Sequence, residues 1–222
     1  MEPPEFHRLS GYILELSGTG FAAAALTNCD VVAARGALTS NWNRYSYKTS
    51  QPIAGEHILG AQGPYEYAIV CRWGRDRLLM VSTHRRIVEA FVSEFVRPKW
   101  PAASKRTPIH IQALVEAIAA TGEPYRLTSV AARTAGFGDD LRSISYFGAN
   151  VSQAQMFRDA LPQLDCYQCG LRFANDGGGT EIARVGNDGF LSFALPFGNQ
   201  AAKRLRDVEE VIRFLRKGGF LG

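Results

Sequence analysis

Long apolar runs are missing from this chain of 222 residues. The longest small-apolar stretch, Phe21 to Leu26, falls far short of the ~20 residues that cross a bilayer. The residues around it carry Glu2, Glu5 and Glu15 rather than the basic start of a secretory leader. These absences predict a cytoplasmic protein with no membrane partner. Cysteine is scarce: Cys29, Cys71, Cys166 and Cys169 are the four. A chain of this size does not depend on a disulfide framework, and a reducing compartment keeps them as thiols.

Strong charge of one sign is missing too. Lys and Arg number 25 against 21 Asp and Glu, a net charge of +4, too little to imply a nucleic-acid partner by itself. Catalytic motifs are also lacking. There is no Gly-x-Ser-x-Gly elbow, and the glycine-rich Asn175 to Gly179 lacks the Gly-Lys-Ser/Thr ending of a phosphate loop. These lacks lean against an enzyme; one of unrecognised type would need His84, Asp139, Asp140 or Cys166 to share a cleft. What is present is material for a core: 46% of residues are apolar and 11% aromatic, which excludes a largely disordered chain.

The positive charge is concentrated. Residues 84–106 hold Arg85, Arg86, Arg97, Lys99, Lys105 and Arg106 against Glu89 and Glu94. Residues 203–217 hold Lys203, Arg204, Arg206, Arg213, Arg216 and Lys217 against Asp207, Glu209 and Glu210. The rest of the chain is net negative.

The halves repeat each other in order. Val32-Ala33-Ala34-Arg35 matches Val130-Ala131-Ala132-Arg133, and Ser46-Tyr47 matches Ser145-Tyr146. Arg72, Gly74, Asp76 and Leu79 match Arg184, Gly186, Asp188 and Leu191, and Val88-Glu89 matches Val208-Glu209. The offset grows steadily along the chain, as insertions in a second copy would make it. This pattern predicts two tandem α+β copies, 1–97 and 108–222, joined by a basic, proline-containing connector at 98–107.

Each copy reads as antiparallel sheet with helices packed on one face. Tyr67 to Arg72 and Leu78 to Ser82 are β-prone runs about a Gly74-Arg75-Asp76 turn. Cys169 to Phe173, Glu181 to Val185 and Phe190 to Leu195 predict a three-strand meander. Strands are also expected at Tyr125 to Arg133 and Ser143 to Phe147. A helix follows each meander, with Ile87, Val88, Phe91 and Phe95 on one face, and Leu205, Val208, Ile212 and Leu215 on the other copy's. Further helices are expected at Ile109 to Ala120 and at Ser152 to Leu161, with Ser152 as the cap. In element order alone, strand–helix–strands–helix repeated, this looks like the pseudo-symmetric saddle of TATA-binding-like proteins.

Four local patterns carry chemistry. Cys166-Tyr167-Gln168-Cys169-Gly170 offers two thiols to a zinc ion. A structural zinc needs four ligands, so Cys29, Cys71, His84, His110 or a second chain would have to complete it. In a regular strand, positions three apart face opposite ways, which leaves two ordinary thiols as the other reading. Gly136-Phe137-Gly138-Asp139-Asp140 sets two carboxylates side by side, without the further acids of a metal-dependent nuclease. His84-Arg85-Arg86 opens a helix with basic side chains, where an anion would be welcome. Trp42, Tyr45, Tyr47, Tyr65, Tyr67 and Trp73 interleave with Arg44, Lys48, Arg72 and Arg75, which suits base stacking or ordinary cross-strand packing.

The leading expectation is a non-enzymatic protein that binds DNA or RNA, through Arg85, Arg86, Lys99, Lys203, Arg204 and Arg206. The alternative is an interaction subunit that offers sheet edges or apolar patches to other proteins.

Overall fold

The computed structural model describes residues 8–15, 32–39, 42–49, 65–73, 77–82, 84–99, 101, 105–134, 143–173, 182–194 and 201–222. They form a mixed α+β fold of antiparallel sheet and four helices. The chain divides into two compact units, residues 1–107 with 195–202, and residues 108–194 with 203–222. No helix among the described residues is long and apolar enough to cross a membrane.

The first unit is built on strands β1 (Arg8–Glu15), β2 (Val32–Thr39), β3 (Trp42–Thr49), β4 (Tyr65–Trp73) and β5 (Arg77–Ser82). They lie in the order β2-β3-β4-β5-β1, every pair antiparallel. Gly11 pairs with Val81 so closely that a Cβ on Gly11 would stand 1.8 Å from the Met80 carbonyl oxygen. Glycine is the residue that allows this approach. The connector also joins the unit: Glu15 N–H donates to the Lys105 carbonyl at 2.9 Å and Thr107 N–H to that of Ile13 at 2.8 Å.

Helix α1 (Arg85–Phe91) packs on this sheet through Ile87, Val88 and Phe91. It runs on through a π-helical turn, Val92–Val96, into one α-turn, Arg97–Lys99. Pro98 explains the widened turn. It has no N–H, and its ring crowds the carbonyl four residues back, so the ladder shifts and Arg97 N–H reaches the Val92 carbonyl. Phe91 and Phe95 stack at 5.2 Å, with the Tyr47 ring edge-on to Phe91 at 5.4 Å.

The second unit holds β6 (Tyr125–Thr134), β7 (Ser143–Phe147), β8 (Leu164–Phe173), β9 (Ala183–Gly186) and β10 (Phe190–Ala194). Their order is β10-β9-β8-β6-β7, again antiparallel. Helix α2 (Ile111–Thr121) buries Ile111, Leu114, Val115 and Ile118 and ends at Gly122, whose φ of 70° admits glycine at no steric cost. Helix α3 (Gln155–Ala160) sits between short 3₁₀ turns. The expected Ser152 cap does not form; Ser152 lies inside the first 3₁₀ turn and its hydroxyl donates to Asn150 Oδ1 at 2.7 Å. Helix α4 (Ala201–Lys217) closes the unit, with Phe214 and Phe220 in ring contact at 5.7 Å.

The residue matches between halves fall on β2 and β6, on the β4–β5 and β9–β10 connections, and on α1 and α4. Ser46-Tyr47 and Ser145-Tyr146 take different places, since β3 is paired on both sides while β7 ends its sheet. The element order of the TATA-binding-like saddle is also not met in the first unit, where the described residues run through five strands before a helix.

Candidate nucleic-acid interface

The helix cations come first. Arg85 and Arg86 open α1 and are exposed, and His84 Nδ1 accepts from the Arg86 N–H at 3.2 Å. Lys99 Nζ stands 4.2 Å from the centre of the Phe95 ring. The side chains of Lys203, Arg204 and Arg206, on α4, lie outside the described residues. The basic stretch 84–106 is partly neutralised within its own unit: Lys105 pairs with Glu15 at 3.3 Å and Arg106 with Glu89 at 3.4 Å.

Of the interleaved aromatics of the first unit, Tyr65 is half-buried and four are core. Trp42, Tyr45, Tyr47 and Tyr67 are all buried, so cross-strand packing is their role. Burial, then a hydrogen bond to Glu94, pushes the Tyr47 phenol well above its ordinary range. The side chains of Arg44 and Trp73, and the whole of Arg75, Asp139 and Asp140, lie outside the described residues.

Cys166 and Cys169 are both buried on β8. Cys166 pairs with Ala132 and Cys169 with Val130, leaving Tyr167 as the extra residue of a bulge. Opposed residues on paired strands share a face, and Ala132 and Val130 lie two apart on β6. The bulge therefore turns both thiols to the same side, where a regular strand would have split them. That side is the core. Burial, reinforced by Asp165 and Glu116, pushes the Cys166 thiol up to about 12, while zinc takes thiolate. No group of three His, Cys, Asp or Glu side chains with metal-site spacing forms among the described residues. Among the described residues no third ligand completes the pair as a metal site, and Cys29 lies outside them.

The same register argument sorts the rest of this sheet. On its covered face, Tyr125, Leu127, Val130 and Ala132 of β6 stand opposite Phe173, Leu171, Cys169 and Cys166 of β8. Ala183, Val185, Leu191 and Phe193 continue that face across β9 and β10. Helix rings close over it: Tyr146 meets Phe157 of α3 at 5.1 Å, and Tyr125 meets Phe214 of α4 at 4.9 Å.

The other face bears arginines. Arg126 of β6 stands directly opposite Arg172 of β8, and Arg184 of β9 opposes Gly170, one diagonal step from Arg172. Like charges directly opposed across a sheet repel, so Arg126 and Arg172 add a repulsive pair to this face. Arg126 and Arg184 are half-buried and Arg172 is buried. A row runs across the sheet from Phe147 through Ser129 and Gly170 to Arg184. Three inter-strand spacings separate its ends, about 14 Å. The row has an aromatic ring at one end and a guanidinium at the other, with the small, buried Ser129 and Gly170 between them.

Phe147 is 76% exposed, a large apolar side chain turned to solvent. Tyr167 and Arg133 share this face, the guanidinium 5.9 Å from the ring centre and 3.6 Å from Asp165. The arginine cluster went unmarked in the sequence reading, although each strand signals it. Tyr125-Arg126-Leu127, Leu171-Arg172-Phe173 and Ala183-Arg184-Val185 each set an arginine between inward apolar residues. No protein-family model matches this chain, and no curated protein resembles it closely enough to be counted as a relative.

Proposed function

We propose that the protein binds single-stranded nucleic acid on the arginine-bearing face of the second unit's sheet. One observation carries this reading: Arg126 and Arg184, both half-buried, lie on the face that also exposes Phe147. Arginines neutralise phosphates, and an exposed ring stacks a base whatever its identity. A duplex hides the base faces that Phe147 would stack on, so the unpaired strand is the fitting ligand. The helix cations Arg85, Arg86, Lys99, Lys203, Arg204 and Arg206 form a second, outlying set of phosphate contacts in this reading.

The two units are, in the same proposal, copies of one ancestral arrangement. Strands β2-β3-β4-β5 and β6-β8-β9-β10 have the same neighbour order, and each series ends in a helix. Strand β7 is then an addition to the second copy.

The test is a fluorescence-anisotropy titration of the full chain with labelled single- and double-stranded DNA and RNA at two salt concentrations. Single strands bind more tightly, and affinity falls with salt as counterions are released. Phe147→Ala weakens binding by about 1–3 kcal/mol, the worth of one stacked base. Arg126→Ala flattens the salt dependence. Absence of binding at low salt, or binding indifferent to both substitutions, overturns the proposal.

A further inference from the structure

Strand β7 ends the sheet of the second unit, and among the described residues no strand pairs with its outer edge. Edge strands are normally guarded by charge, proline or a bulge. Ser143-Ile144-Ser145-Tyr146-Phe147 has no charge and no proline, and its pairing with β6 runs without a register break. From this edge we infer a second copy of the chain: two β7 strands pair antiparallel about a two-fold axis at Ser145, joining two sheets into one.

The backbone fixes which groups are available. Gly148 N–H donates inward to the Thr128 carbonyl at 3.0 Å. Hydrogen-bonding direction alternates along an antiparallel strand. Ile144 and Tyr146 therefore point their N–H and C=O groups at β6, while Ser143, Ser145 and Phe147 point theirs outward.

A two-fold axis at Ser145 uses all three outward residues. It sets Ser145 opposite Ser145 of the second copy, Phe147 opposite Ser143 and Ile144 opposite Tyr146. A charged strand paired with itself would face its own charge; this strand faces none. Ile144 against Tyr146 is a favourable aromatic–β-branched pair, and exposed Phe147 gains a small neighbour instead of a clash. An unrelated extended peptide would find the same hydrogen bonds but not this residue-by-residue match.

This inference does not rest on the nucleic-acid reading, because its test measures mass in the absence of any ligand. Sedimentation velocity of the full chain over a range of concentrations is expected to show a reversible dimer of the 24.4 kDa chain. Ser145→Pro removes an outward N–H and leaves the β6 pairing intact. It is expected to give a folded monomer with unchanged circular dichroism, whose melting temperature no longer rises with protein concentration. Under mild oxidation, Ser145→Cys is expected to cross-link copies, since opposed hydrogen-bonded residues lie within disulfide reach; Ser143→Cys is not. A wild-type chain that stays monomeric at the highest concentration overturns the inference. So does a folded Ser145→Pro chain that remains dimeric, or cross-linking by Ser143→Cys rather than Ser145→Cys.

Discussion

Arg106 lies over the ring of Tyr12, its guanidinium carbon 3.8 Å from the ring centre. Both residues converge on Glu89 of α1, which accepts the Tyr12 hydroxyl at 2.5 Å and the Arg106 guanidinium at 3.4 Å. A residue that reads as part of a basic connector thus ties the end of that connector to the first strand and the first helix. Arg106→Ala removes a partly exposed ion pair and a cation–π contact, worth together about 1 kcal/mol. Urea unfolding should show that loss, and added salt should shrink it.

Gly11→Ala is expected to be far more damaging. The new methyl would sit 1.8 Å from the Met80 carbonyl oxygen, a backbone atom that cannot swing aside. The β1–β5 pairing must part to admit it, at a cost of about 3 kcal/mol. The midpoint of urea unfolding measures the change, and an effect near zero would mean that β1 does not pair in this register.

Phe157→Ala removes a fully buried ring that holds α3 against Tyr146. The expected loss is about 4 kcal/mol. Hydrogen exchange should then quicken at α3 and β7 before the rest of the second unit. Uniform loss of protection would instead mean that the unit opens as one body.

Alkaline pH should destabilise the fold. Burial, with Asp165 and Glu116, raises the Cys166 thiol to about 12, and burial raises the Cys71 thiol in the same direction. In the unfolded chain, thiols lose their protons near the ordinary value of about 8.5. Above that pH the unfolded state holds fewer protons than the folded state, so stability falls as pH rises, until the folded thiols ionise in turn. Melting temperature against pH should fall more gently for Cys166→Ala. Native Cys166 should also resist alkylation at pH 8 until the protein is unfolded.

Much of the local structure was legible in the sequence. Ser143 to Phe147 is a strand over the expected residues, and β6 runs one residue past its expected end. The apolar spacing of Ile111, Leu114, Val115 and Ile118 places α2 with its buried face. These features depend on short-range periodicity, which a linear chain displays directly. The candidate site was less legible. Arg126, Arg172 and Arg184 are far apart in sequence, and each looks like an ordinary outward residue of its own strand.

The sequence by itself determined α1, α2, α4 and the strands from Tyr67 to Ser82 and in the second unit, and the scarcity of charge on Ser143 to Phe147, but not the strands β1, β2 and β3. Only the tertiary structure decided which outward sides meet. It placed β8 rather than β7 between β6 and β9, left β7 at an edge, and set bulges that turn Cys166 and Cys169 to one side. The reason is physical. Periodicity fixes which way a side chain points from its own strand, but strand order and register follow from long-range packing of the covered face. A one-residue bulge reverses every orientation beyond it.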